Sequence, residues 1–194
     1  MPEYYFDIET YSPGEKPDPD SDKIITFQYQ RMDIRTGKPI GQLIILKEWE
    51  SSEETIVKTI HNQFFNPELS PWNFIPIGFG LHYEWEFLIS KFNKYLQRKI
   101  TSRELHYSRP HIDMKSVLVL LNGGSFKGAS LENFSNKPMG ENKKIKEYYE
   151  QKNYDAIVKY IENEAGSAME FMQAFLSYIQ NAKSSLQRKF HDSI

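Results

Sequence analysis

The chain has 194 residues, 26 acidic against 24 basic side chains and a net charge of −2, with a hydrophobic fraction of 39% and an aromatic fraction of 14%. Such a length and composition exclude a largely disordered chain and fit one domain with its own core, and the charge lacks the strongly basic footprint of a stoichiometric nucleic-acid backbone binder. The absence of cysteine excludes disulfides and thiolate zinc sites and agrees with a reducing compartment.

Glu3 to Glu9 is aromatic, apolar and β-branched, a first strand. No basic and apolar leader precedes it, and no run approaches the ~18 apolar residues of a membrane span, so a cytoplasmic protein is expected. Ser12-Pro13-Gly14 through Asp18-Pro19-Asp20 predicts a long mobile loop. Lys23 to Met32 reads as a second strand, Arg35 to Lys38 as a turn and Ile40 to Leu46 as a third strand, an antiparallel meander. Ser51-Ser52-Glu53-Glu54 opens a helix with Ile56, Val57, Ile60, Phe64 and Phe65 at helical spacing. A fourth strand from Asn73 to Phe79 ends at Gly80 and runs into a helix carrying Phe87, Leu88, Phe92 and Leu96. Asp113 is expected to cap a helix from Met114 to Leu121, stopped by Asn122-Gly123-Gly124. The last helix, about Tyr154 to Ile179, repeats Ile157, Ile161, Met169, Met172 and Phe175 near a 3.6 period, so one face packs on the sheet. The terminal Gln187 to Ile194 is read as frayed.

Within the first strand, Phe6-Asp7-Ile8-Glu9-Thr10 places two carboxylates two apart, on the same side. Two readings stay open: a solvated pair on an edge strand, or a buried pair that needs a counter-charge. With no cysteine and five histidines, the natural counter-charge is Mg2+ or Mn2+, which prefers hard oxygen ligands. Glu84, just after the fourth strand, and Glu164, inside the last helix, are two further acids that an α+β sheet can bring to the pair. Four carboxylates around two cations roughly 4 Å apart make a centre for phosphodiester hydrolysis. Tyr160, four residues before Glu164, shares its helical face and is placed to orient an attacking water.

These segments carry a family resemblance. Tyr5-Phe6-Asp7-Ile8-Glu9-Thr10, the segment Ile77 to Leu88 centred on Glu84, and Tyr160-Ile161-Glu162-Asn163-Glu164 resemble the three motifs of RNase H-like 3'-5' exonucleases of the DEDD (DnaQ-like) superfamily. The chain is most similar to the proofreading exonuclease domain of family B DNA polymerases. Ile112 to Lys115, Asn122-Gly123-Gly124 and Phe126 to Leu131 are similar to the helical connector, so the resemblance covers nearly the whole chain. Tyr160, where a sister group has His, implies the tyrosine subclass. The resemblance implies an α/β fold with a mixed five-stranded sheet flanked by helices, and residues 1–194 as one exonuclease domain with no polymerase in the same 194 residues. It implies Asp7, Glu9, Glu84 and Glu164 as ligands of two Mg2+ or Mn2+ ions, and Tyr160 as the residue that positions water. The chain departs from the motifs where Glu84 and Glu164 stand in place of Asp and where the usual Asn after the glycine is replaced.

Glu86 and Glu162 are rival ligands on other helical faces. His82 lies near the second motif, and His61, His106, His111 and His191 show no metal-ligand spacing, so a zinc reading fails. Lys127, Lys137, Lys143, Lys144 and Lys146 form either a phosphate grip or a solvated face balanced by Glu141 and Glu147. Thr10, Tyr11, Phe126 and Lys127 are candidate nucleic-acid contacts, the two aromatics by stacking on unpaired bases or, in the alternative, by packing in the core. Trp49, Trp72 and Trp85 are read as packing residues. The expected activity is 3'-5' hydrolysis of single-stranded or frayed DNA, with RNA sharing the chemistry; the alternative is a lapsed, exonuclease-like binding module.

Overall fold

The computed structural model describes residues 2–96, 100–137 and 140–191. Strands β1 (Glu3–Tyr11), β2 (Lys23–Asp33) and β3 (Lys38–Lys47) form the antiparallel meander, after which α1 (Glu53–Ile60) starts at Ser52, whose side chain accepts from the Thr55 amide. A π-helical turn, His61–Phe65, brings the chain back to β4 (Ile75–Gly78), which pairs parallel to β1 and leads into α2 (His82–Tyr95) and α3 (Ser102–His106). The two-residue β5 (Ile112–Asp113) pairs parallel to β4 and is followed by α4 (Lys115–Leu121), α5 (Leu131–Phe134), α6 (Ile145–Glu150) and α7 (Tyr154–His191). Sheet order is β3-β2-β1-β4-β5, the mixed five-stranded α/β sheet of an RNase H-like fold.

β1 is central, and its alternation sends two different sets of side chains to two different layers. Phe6 and Ile8 are buried on the α1/α2 side, where Phe6 stacks on Trp85 at 5.5 Å and lies 5.0 Å from Phe27. Tyr5 is buried on the opposite side with Ile77, Met114 and Met169. Asp7 and Glu9 continue the Tyr5 face, so the sheet itself aims both carboxylates toward the layer that contains α7. The β1–β2 register shifts between Glu9 and Thr10, a bulge of the kind that re-aims side chains beside functional sites.

Several boundaries differ from expectation. Pro71–Asn73 is a 3-10 turn opened by the Ser70 hydroxyl, so β4 begins at Ile75 rather than Asn73. α7 continues past Ile179 to His191, because no Gly or Pro interrupts that stretch; positions 192–194 of the expected frayed end lie outside the described residues. Trp85 is buried and Trp49 stacks on Tyr154 at 4.5 Å, but Trp72 is 54% exposed and is no core residue. The loop expected to be mobile is tied down at its end: the Ser12 hydroxyl and the Asp18 amide both donate to the Asp22 carboxylate, and buried Lys91 donates to the Asp22 carbonyl. Lys146 of α6 holds the other end through the Pro13 carbonyl at 2.8 Å. Met114, not Asp113, occupies the cap position of α4; the Asp113 carboxylate accepts from the amides of Lys115, Gly80 and Leu81 at 2.8, 2.9 and 3.1 Å. It thereby ties β5 to the start of α2.

Candidate metal centre

Carboxylate oxygens of Asp7, Glu9 and Glu164 all lie within 4.8 Å of one another. β1 supplies the first two and α7 the third. Across the β1–β2 ladder Asp7 pairs with Gln28 and Glu9 with Thr26, so these neighbours share the acidic face. The buried Gln28 amide nitrogen donates to Asp7 at 3.3 Å and to Glu9 at 3.5 Å, while its oxygen accepts from the Thr26 hydroxyl at 2.9 Å. That acceptor bond fixes which end of the amide faces the acids. The Ile8 amide donates to Asp7 at 2.9 Å and the Tyr5 phenol at 3.4 Å. Glu84, in the first turn of α2, keeps one carboxylate oxygen buried with no hydrogen-bond partner and lines the same cleft.

The acids crowd one another, and their protons are correspondingly hard to lose. Burial first, and then the charge of Glu164, raises the Asp7 carboxyl to about 7, against the opposing pull of Lys137 and of the Ile8 and Gln28 hydrogen bonds. Glu9 is pushed well above the ordinary carboxylate range by burial and by Asp7, and Glu84 likewise by burial and then Asp7. The Tyr160 phenol is raised by burial, Glu9 and Glu164, so it stays protonated and remains a donor. Hard oxygen donors, mutual repulsion and an unsatisfied buried oxygen are what a divalent cation such as Mg2+ or Mn2+ relieves; the residues present fit such an ion.

Around the acids lies a cleft of about 650 Å³ whose wall includes Thr10, Lys137, Lys143, Lys146 and Tyr160. The Thr10 hydroxyl is bonded to the Tyr83 phenol at 2.7 Å. Tyr11 turns to α6, donating to Glu150 at 3.2 Å with its ring 4.9 Å from Tyr149. Phe126 is 73% exposed and Lys127 is exposed, and neither is among the described residues that line the cleft. Of the rival acids, Glu162 is exposed, and Glu86 pairs with His82 at 3.0 Å, the two side chains 51% and 72% exposed.

No family model matches the chain, and no curated protein matches its sequence. Solved structures similar to it include E. coli exonuclease I in complex with a dT13 oligonucleotide, at 14% identity and a TM-score of 0.47 over 62% of this chain and 29% of that one. A moderately thermophilic exonuclease I from Methylocaldum szegediense is 19% identical with a TM-score of 0.46, again over 62% and 29% of the two chains. The chain thus spans under a third of the length of these proteins.

The sequence reading missed Gln28 and the position of Lys137. A glutamine flanked by Phe27 and Tyr29 in an apolar strand was a readable signal for a polar partner to an acid on the neighbouring strand. By sequence Lys137 is one of five clustered lysines, whereas its ammonium is bonded to Glu164 and lies 5.3 Å from the Tyr160 ring centre, with only 8% of the side chain exposed. It lies on a segment between α5 and α6 with no periodicity to place it.

Proposed function

We propose that the chain is a divalent-metal-dependent 3'-5' exonuclease that removes nucleoside monophosphates from single-stranded or frayed DNA ends. The carrying observation is the convergence of Asp7, Glu9 and Glu164 beside the unpartnered buried oxygen of Glu84. Mg2+ or Mn2+ held by these carboxylates would polarise the phosphodiester and acidify a bound water. The chain's own residues do the rest. Tyr160, kept protonated by its surroundings, donates a hydrogen bond that orients the water; Gln28 and the Ile8 amide fix the Asp7 carboxylate; Lys143 and Lys146 on the cleft wall favour the phosphates of an entering strand. The resemblance of the three sequence motifs supports 3'-5' polarity, the tyrosine subclass, a pair of ions and DNA as the substrate, with RNA sharing the chemistry.

The test is a 5'-labelled single-stranded oligonucleotide incubated with the protein in Mn2+ or Mg2+. A ladder shortening from the 3' end, and lost in Asp7→Asn, is expected; intact substrate in both metals would refute the activity. One observation favours a second reading, a non-cleaving nucleic-acid-binding module: Lys137 neutralises Glu164 internally. That reading predicts an oligonucleotide retained but uncut, and a melting temperature indifferent to Mn2+.

A further inference from the structure

We propose that His82 and Glu86 of α2, together with His106 of α3, form a second metal site, one suited to Zn2+. It lies outside the acidic centre and does not depend on the exonuclease reading. Sequence spacing shows no metal pattern among the histidines, because His82 and His106 meet only where α3 packs against α2. Along α2 the pairing is local: His82 Nε2 lies 3.0 Å from a Glu86 carboxylate oxygen one helical turn away. Between the two helices, the ring centres of His82 and His106 are 5.4 Å apart. Tetrahedral zinc, with bonds of about 2.0–2.1 Å, sets two ligand atoms about 3.3 Å apart and the centres of two ligand imidazoles about 5 Å apart. Both observed separations are close to these.

The three side chains line one cavity of about 450 Å³. The oxygens of the acidic centre are already gathered, whereas here the His106 ring must turn toward His82 and Glu86, and the cavity gives it room. Neither His106 ring nitrogen is hydrogen-bonded among the described residues. Burial, and then the His82 and His111 rings, hold His106 below the ordinary histidine value, so the ring is neutral near pH 7 and has a lone pair to give. Asp20 shares the cavity wall but is bonded to the Ser90 hydroxyl at 2.7 Å, which leaves the fourth position to water. Two imidazole nitrogens and one carboxylate favour Zn2+, Co2+ or Ni2+ over Mg2+ and Mn2+, so the two centres take different metals. His82 opens the helix whose first turn carries Glu84, and an ion shared with His106 would tie that end of α2 to α3.

The experiment titrates the untagged, metal-free full chain with Co2+ in excess Mg2+, which keeps the acidic carboxylates occupied. It follows the visible absorption of tetrahedral cobalt, with circular dichroism confirming the fold of each variant. One Co2+ per chain is expected in the wild type and in Asp7→Asn, displaced by Zn2+, with the bands lost in His82→Ala and in His106→Ala. Zn2+ should raise the melting temperature of the wild type but not of the two histidine variants. Bands that persist in either folded histidine variant, that vanish in folded Asp7→Asn, or that never form in the wild type would overturn the proposal. None of these results bears on the exonuclease reading, whose test is cleavage.

Discussion

Asp7 ordinarily titrates near 3.8 and does so at about 7 here, so over that window the folded, metal-free chain holds a proton that the unfolded chain has released. Stability changes with pH as the protons bound unfolded minus those bound folded; that difference is negative here, and stability falls as pH rises from about 4 to about 7. Glu9 and Glu84 are raised in the same direction and add to the slope. We predict that the melting temperature of the metal-free protein declines across this window, and that Asp7→Asn flattens the decline. A profile in which wild type and variant run parallel would show that Asp7 titrates as an ordinary surface acid. Since a metal must displace the same protons, Mn2+ affinity should rise with pH over the same range.

At the scale of elements, two contacts govern how the helices meet the sheet. Gly37, in the β2–β3 turn at a φ of 70°, approaches α7 so closely that an added Cβ would lie 2.7 Å from the Gln173 backbone nitrogen. Gly123 has a similar φ of 66° but open space around it. Gly37→Ala should therefore destabilise by more than the ~1–2 kcal/mol of a left-handed alanine, and Gly123→Ala by about that amount, as read from urea midpoints; equal effects would refute the close approach. Asp113 is the second contact. Removing its carboxylate in Asp113→Ala strands the amides of Gly80, Leu81 and Lys115, at about 1–3 kcal/mol for a buried unsatisfied group. Because α2 begins at that junction and carries Glu84, Mn2+ binding should weaken in a variant that still folds; unchanged affinity would separate Glu84 from the centre.

Across the whole molecule, what could be read in advance follows from how strongly each feature is periodic. The meander, α1, α2 and the sheet-facing stripe of α7 are long patterned segments, and alternation in β1 alone placed Asp7 and Glu9 on one face. β5 is two residues long, too short for any period, and shows itself only through pairing with β4 and through Asp113. α7 extends beyond Ile179 to His191 because the helix outlasts the apolar repetition that marks it in the sequence. Glu164 and Tyr160 were legible as a helical pair, but Lys137 was not, since a turn residue reaches a site through tertiary packing that no local pattern records. The bonds from the Ser12 hydroxyl and the Asp18 amide to the Asp22 carboxylate likewise tie the ends of that loop in a way its composition does not record.

The claim on which the account depends is that these carboxylates converge on a divalent ion, and anomalous scattering from crystals soaked in Mn2+ tests it most directly. The account predicts a peak about 2.1 Å from oxygens of Asp7 and Glu9, in the cleft that Tyr160 also lines. A cleft with no peak at saturating Mn2+, its acids paired only with Lys137 and one another, would contradict it.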